Sequence, residues 1–384
     1  MITLIEQVQV FAPQDLGIND VAFCGNTLLA IESKIKLDAS ITVNRIDGRN
    51  KVLLPGFIDA LVHVSGGGGE GGFHTRTPQM SLTDATLAGV TTVIGALGTD
   101  DVTRTLEDLL AKTYALQNEG LSAYMHTGSY QVPVVTLTGS IRKDLVCLPA
   151  VIGVGEVAIA DHRSSHPSVE ELTRIASDAR VGGMLSGKKG TLFLHLGDDA
   201  QALSLALNAI ESSALPASQF YATHINRNQA LLNDAVEFAR LGGFVDMTTS
   251  TTDAFIEQGE IPAAKAVVNL LEKGVDLAQI TMSSDGNASL PIFEDNALIG
   301  LEVGRVASLF ESAMALTELI GLEQAIQTVT INPAHALGLN HKGQIGADFD
   351  VDLILLDGNK IDSVWAKGRQ MVEDGNAIVT GTFE

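Results

Sequence analysis

The sequence predicts an α/β protein, a (β/α)8 barrel with a small β-sandwich domain formed by the two chain ends. Three observations predict it. Short apolar segments alternate with longer helical stretches through the middle of the chain; both ends break into β-like pieces separated by turn residues; and unusual polar side chains fall at the C-terminal ends of the middle strands. An open doubly wound sheet shares much of the first pattern, and eight strands favour the barrel.

At the start, Thr3 to Ile5, Val8 to Phe11, Asp20 to Phe23, Thr27 to Ile31 and Ile41 to Val43 read as strands broken by Pro13, Gly17, Gly25 and Gly48. Val351 to Leu356, Ile361 to Ala366 and Ala377 to Val379 look the same, so residues 1–52 and 342–384 are expected to form one β domain around a barrel of residues 53–341. The eight barrel strands are Phe57 to Val64, Thr91 to Ala96, Ser122 to Thr127, Val151 to Ala158, Thr191 to His195, Gln219 to His224, Gly243 to Met247 and Gln279 to Ser284. Helices are expected between them, from Leu82, Val102, Val169, Asp199, Gln229 and Pro262, and after the last strand over Glu302 to Ile320 and Leu322 to Leu337.

Composition excludes several classes. The formal charge of −22 argues against nucleic acid and anionic membranes as partners, since both need clustered Lys and Arg. No apolar run reaches the roughly 18 residues of a membrane span, and Met1 to Val10 lacks the basic start of a secretion signal. A soluble, cytoplasmic protein is expected. Cys24 and Cys147 lack metal spacing and are expected as buried thiols rather than a disulfide.

The first barrel strand carries the most information. Its apolar run suits a parallel strand covered on both faces. Asp59 and His63 interrupt that run and must therefore be paired or bound. Four glycines, Gly66 to Gly69, then lead to Glu70. Thr99 follows the second strand, Tyr130 the third and Asp285 the eighth; Glu156 lies late in the fourth, and His195 and His224 end the fifth and sixth. A lone histidine in a strand is usually a satisfied core residue, but two ending consecutive strands beside carboxylates are ligands suited to zinc. Such a metal acidifies water, and hydrolysis is its natural use, with Asp285 moving the proton. Arg163 and Arg227, just past barrel strands in a chain poor in basic residues, suit carboxylate recognition, and Glu70 suits an ammonium.

Taken in order, Pro55-Gly56-Phe57-Ile58-Asp59, Gly66 to Glu70, Thr75-Arg76-Thr77-Pro78, Leu97 to Asp100, Thr127 to Tyr130, Asp161-His162-Arg163-Ser164, Val181-Gly182-Gly183, Thr223 to Asn228, Ser283 to Asn287 and the ending Gly381 to Glu384 resemble the amidohydrolase superfamily, and within it the isoaspartyl dipeptidase family. The resemblance covers essentially the whole chain. It implies cleavage of β-aspartyl dipeptides, with His195 and His224 on metal, Asp285 as general base and then acid, and Tyr130 assisting at the carbonyl oxygen. It further implies Glu70 and Gly68 at the substrate amine, and Arg163, Arg227, Ser289 and Thr99 at its carboxylates and backbone-like groups.

Two departures touch the metal ligands. The family's His-x-His becomes Leu61-Val62-His63, and the carboxylated lysine that bridges two metals becomes Glu156, beside a one-residue insertion. Both changes point to one zinc held by Glu156, His195 and His224, as in the N-acetylglucosamine-6-phosphate deacetylase branch. His63 is then left to bond water or Asp285, or to mark a weak second site. Hydrolysis of another amide, such as an N-acyl amino acid or a cyclic imide, and a catalytically inactive zwitterion binder stand as alternatives. Family habit and the added β domain lead to an expected homo-oligomer.

Overall fold

The computed structural model describes residues 1–294 and 297–384. Its strands run in chain order as β1 Ile2–Phe11, β2 Asp15–Cys24, β3 Thr27–Glu32, β4 Val43–Asp47, β5 Lys51–Pro55, β6 Phe57–Val62, β7 Val90–Gly95, β8 Ser122–Thr127, β9 Val151–Ile159, β10 Thr191–Leu196, β11 Phe220–Thr223, β12 Phe244–Thr248, β13 Ile280–Ser283, β14 Ser289–Glu294, β15 Ala297–Val303, β16 Leu353–Asp357, β17 Lys360–Ala366, β18 Arg369–Glu373 and β19 Asn376–Ala377.

β6 to β13 pair in sequence as parallel neighbours. The ring closes where Val62 bridges Gly286 and the amide of His63 donates to the Gly286 carbonyl at 2.8 Å. Strands with helices outside and packed side chains inside are buried on both faces, which is why these segments read as apolar runs rather than alternating ones; nearly every residue of β6 to β13 is buried. At the N-terminal end of the barrel the helix Ile331–Leu337 is the plug. Ala334, Ala336 and Leu337 pack on Ile58, Ile152, Phe193, Tyr221 and Phe244, and Asn332 Nδ2 donates to the Ile280 carbonyl at 2.9 Å. Among the described residues this packing closes the N-terminal end of the barrel.

The chain ends form one sheet in the order β19-β18-β17-β16-β5-β1-β2-β3, with β4 pairing β1. The sheet folds over on itself. Phe23 of β2 and Trp365 of β17 are four strands apart, about 19 Å in a flat sheet, yet their rings meet edge to face at 5.9 Å. Lys342, 5 % exposed, ties this sheet to the barrel. Its ammonium meets Asp350 and Asp352 at 2.6 Å each and Ser122 of β8 at 2.6 Å. Gly56 is needed where β5 passes into β6, because a Cβ there would lie 2.3 Å from Thr91 Oγ1.

Helices begin where capping residues stop the strand pattern. Ser168 and Glu171 form a capping box at the start of Val169–Ser186, and the Asn228 side chain accepts from the Leu231 amide at 2.8 Å to start Gln229–Arg240. That cap fixes the chain immediately after Arg227.

Three expectations need correction. The helix expected from Glu302 begins at Ala307, because Ser289–Glu294 and Ala297–Val303 pair as an antiparallel hairpin and Glu302 belongs to its second strand. The helix expected over Leu322 to Leu337 is three short pieces, Leu322–Ala325, the 3-10 turn Ile326–Val329 and Ile331–Leu337, with Thr330 at φ −128°, ψ −91° between the last two. Both cysteines are exposed: Cys24 ends β2 at a turn, and Cys147 ends the helix Ile141–Cys147, whose buried face is Ile141, Asp144 and Leu145.

Candidate active site and metal centre

Loops at the C-terminal end of the barrel surround a cavity of about 450 Å³ lined by His63, Gly68, Glu70, Thr99, Tyr130, Arg163, His195, His224, Arg227, Asp285 and Ser289. Glu156 lies beneath it, fully buried. Every site residue named from the sequence is thus at one place.

Glu156 reaches that place through an irregularity in its strand. Val154 pairs with Leu192, but the next pair is Val157 with Leu194, so Gly155 and Glu156 together oppose Phe193. This bulge lies where the sequence leads us to expect an extra residue, and it turns the Glu156 side chain into the barrel. There Oε2 lies 3.4 Å from His195 Nδ1 and 3.6 Å from His224 Nε2, and Oε1 lies 3.6 Å from His63 Nε2. Neither carboxylate oxygen has a hydrogen-bond partner. A buried carboxylate without a donor is costly, and this one is surrounded by imidazoles at more than hydrogen-bond length.

That spacing tests whether a metal fits. Zinc binds nitrogen and oxygen at about 2.0–2.2 Å, and in a tetrahedron the ligands are then about 3.4 Å apart. The observed separations of 3.4 and 3.6 Å match. Glu156, His195 and His224 are the one such cluster among the described residues. The residues present fit a metal.

Both histidines are oriented by their second nitrogen. Asp161 Oδ2 accepts from His195 Nε2 at 2.9 Å, which leaves Nδ1 as the lone-pair atom, and the Tyr130 hydroxyl donates to that Nδ1 at 2.8 Å. His224 Nδ1 bonds Thr248 Oγ1 at 2.5 Å and presents Nε2 to Glu156. Its backbone is left-handed at φ +62°. Burial, with His195 close by, brings the His224 imidazole down to about 4, so it is neutral and able to ligate. Burial works against ionising Glu156, but His195 and His224 hold its carboxyl far below the usual range.

His63 donates its Nδ1 to the Ala96 carbonyl at 3.1 Å and points Nε2 at Asp285 Oδ1, 3.3 Å away. Burial opposes its protonation, yet Asp285 and Glu156 raise it to about 9. Burial raises Asp285, and the contact with His63 brings it below the ordinary carboxylate value, leaving an ionised base at neutral pH. Tyr130 is pushed well up by burial and stays a proton donor.

The wall opposite is built for charge. Arg163 is clamped by Asp161, Nε to Oδ1 at 2.9 Å and Nη2 to Oδ2 at 2.7 Å, and its Nη1 reaches Glu70 at 3.3 Å. Thr99 Oγ1 donates to the same Glu70 oxygen at 3.0 Å. The glycine loop carrying Gly68 and Glu70 is held from behind by Arg104, 7 % exposed, which donates to the carbonyls of Ser65, Gly67 at 3.1 Å and Thr77 at 2.8 Å. Gly66 at φ +84° must be glycine, since a Cβ would meet Thr77 O at 2.6 Å.

Sequence reasoning missed Asp161, Thr248 and Arg104. Asp161 was legible in part, because it precedes Arg163 in a short polar run just past a barrel strand; the partners of Thr248 and Arg104 are far away in sequence and left no local signal.

Comparison with known proteins decides the family. The Amidohydrolase family matches residues 52–381. The chain belongs to the amidohydrolase family. A solved β-aspartyl dipeptidase from the thermophilic, keratin-degrading Fervidobacterium islandicum AW-1, in complex with β-Asp-Leu dipeptide, is 41% identical to this amidohydrolase, covers 98% of each chain and superposes with a TM-score of 0.91. N-acetylglucosamine-6-phosphate deacetylase from Pasteurella multocida shares the fold, at 14% identity, TM-score 0.63, and coverage of 97% of this chain and 100% of that one. Among curated proteins, a 5-methylthioadenosine/S-adenosylhomocysteine deaminase of Caldicellulosiruptor saccharolyticus is 25% identical over 130 residues, a match spanning 34% of this chain and only 28% of that enzyme. The protein is a metal-dependent hydrolase. Among the described residues no helix is long and apolar enough to cross a membrane.

Proposed function

We propose that this amidohydrolase hydrolyses β-aspartyl dipeptides with one zinc ion. The observation that carries the reading is the pairing, in one cavity, of a Glu156-His195-His224 cradle with the Glu70-Thr99-Arg163 cluster and Arg227. The first suits a hydrolytic metal, and the second suits a ligand with one ammonium and more than one carboxylate. Likeness to the dipeptide-bound β-aspartyl dipeptidase supports the same substrate class.

Glu156, His195 and His224 would hold the zinc, which would supply a Lewis acid that lets water ionise near neutral pH. Asp285 takes the proton as the water oxygen adds to the amide carbonyl carbon, and returns it to the departing nitrogen as the C–N bond breaks, releasing aspartate and a free amino acid. The Tyr130 hydroxyl donates to the carbonyl oxygen as negative charge develops there. Glu70 and Gly68 receive the substrate ammonium; Arg163, Arg227, Thr99 and Ser289 orient its carboxylates and backbone-like groups. A cytoplasmic homo-oligomer is part of the same reading.

Elemental analysis of the purified protein, run beside hydrolysis of β-Asp-Leu, tests the proposal. About one zinc per chain with release of aspartate and leucine is expected; zinc without cleavage moves the assignment to another amide.

A further inference from the structure

Arg227 and Glu260 both line the cavity. The loops that carry them are locked together one residue away. The Ile261 amide donates to the Asn226 carbonyl at 2.9 Å, and Asn226 Nδ2 donates to the carbonyls of Ile261 at 2.9 Å and Thr248 at 3.0 Å. This clamp holds the two opposite charges as neighbours, yet among the described residues they form no ion pair, and Arg227 pairs with no other carboxylate. Arg227 Nε and Glu260 Oε1 are both closed to solvent without a hydrogen-bond partner. Arg163 is the contrast, since Asp161 and Glu70 already occupy it.

Two charges that stand side by side and leave each other free match a ligand bearing the complementary pair. A free amino acid with a basic side chain has that pair, an α-carboxylate and a side-chain cation. Phe255 and Gln258 line the same wall, and the Glu260 amide donates to the Phe255 carbonyl at 2.9 Å; the aromatic ring offers apolar surface to the methylenes of such a side chain. Burial pushes the Glu260 carboxyl up, with Thr251 and then Arg227 pulling the other way.

We propose that Arg227 and Glu260 form the subsite for the leaving amino acid, Arg227 taking its α-carboxylate and Glu260 a cationic side chain, so that β-aspartyl-lysine and β-aspartyl-arginine are preferred substrates. The inference rests on the β-aspartyl dipeptidase reading and goes beyond it by naming the second residue. The test compares kcat/KM of the zinc-loaded enzyme for β-Asp-Lys and β-Asp-norleucine, which differ in the terminal ammonium. A preference of about tenfold for lysine is expected in the natural protein. Glu260→Gln should bring that ratio close to one, and Glu260→Lys should make β-Asp-Glu a better substrate than β-Asp-Lys, each variant being checked by its thermal melt. A natural ratio within twofold of one, or a ratio unmoved in Glu260→Gln, overturns the subsite while leaving the dipeptidase reading in place. Cleavage of none of these peptides overturns that reading and the subsite with it.

Discussion

Replacing Asp161 by Asn should weaken metal binding without unfolding the barrel. Asp161 accepts from His195 Nε2 at 2.9 Å and from Arg163 Nη2 at 2.7 Å through one oxygen, and from Arg163 Nε at 2.9 Å through the other. An amide has one acceptor oxygen. Each carboxylate oxygen takes two donors, Oδ1 the Arg163 backbone amide and Nε, Oδ2 Arg163 Nη2 and His195 Nε2; with the side-chain amide oxygen kept on the first pair, the NH2 is turned towards His195. A donor there makes Nε2 an acceptor and moves the ring proton to Nδ1, removing the lone pair that faces Glu156. The lost bond is charge-assisted and worth about 1.5–3 kcal/mol. At 1.4 kcal/mol per tenfold, zinc affinity should fall about 10- to 100-fold, the range typical of residues that orient a ligand histidine. Competition with a chromophoric chelator measures it directly. An affinity within twofold of the natural protein, with the fold intact by circular dichroism, would refute the orienting role.

Arg104→Met removes three bonds to the carbonyls of Ser65, Gly67 and Thr77 behind the glycine loop; steady-state kinetics should show KM for β-Asp-Leu rising about tenfold or more with kcat less affected, and an unchanged KM would remove Arg104 from substrate positioning. Lys342→Met leaves Asp350 and Asp352 without the ammonium that joins the chain-end sheet to the barrel, so denaturant melts should show a loss of about 3–5 kcal/mol. Asp246, fully buried in the middle of β12, accepts from Thr223, Thr281 and Ser283, with Asp285 and Asp59 as its charged neighbours. Burial raises its carboxyl from 3.8 to about 6; a raised acid favours the protonated native state, so its contribution is intact below the unfolded value and is lost as pH climbs to about 6. Asp246→Asn should therefore remove a decline of about 3 kcal/mol between about pH 3 and 7, measured as the difference between natural and variant unfolding free energies at each pH.

The barrel was readable because parallel strands buried on both faces become apolar runs, and β6 to β13 lie where those runs lie. Reactive side chains stood out for the same reason, as polar residues ending such runs, and the structure gathers them around one cavity. Properties set by long-range contact were not readable. Asp161 looks like an ordinary loop acid until His195, far along the chain, is placed against it at 2.9 Å. Arg104 shows no local motif because its partners are backbone carbonyls on two other segments. The hairpin before the last long helix was misread because Ala297–Val303 and Ala307–Ile320 are both apolar, and apolar content without a clear period does not separate strand from helix.

Under the proposed one-zinc reading, Leu61 is the residue that tests the metal count. It is fully buried and packs with Ile94, Ala96 and Phe193 inside the barrel, so it offers no donor where a second imidazole of a His-x-His pair would stand. His63 has committed Nδ1 to the Ala96 carbonyl and has Nε2 alone to share with Glu156 Oε1 at 3.6 Å and Asp285 Oδ1 at 3.3 Å. The cradle of Glu156, His195 and His224 keeps three donors within 4.8 Å of one another. One tight zinc is therefore expected, and Leu61→His should raise the content towards two by restoring the missing nitrogen beside His63. The added imidazole enters an apolar layer and costs about 1–3 kcal/mol of stability unless a metal takes it up, so thermal melts with and without added zinc should separate more widely in the variant than in the natural protein. A variant that still holds one zinc, with no wider separation, would show that the bridge, a short glutamate in place of a long carbamate, limits the site rather than the lost histidine.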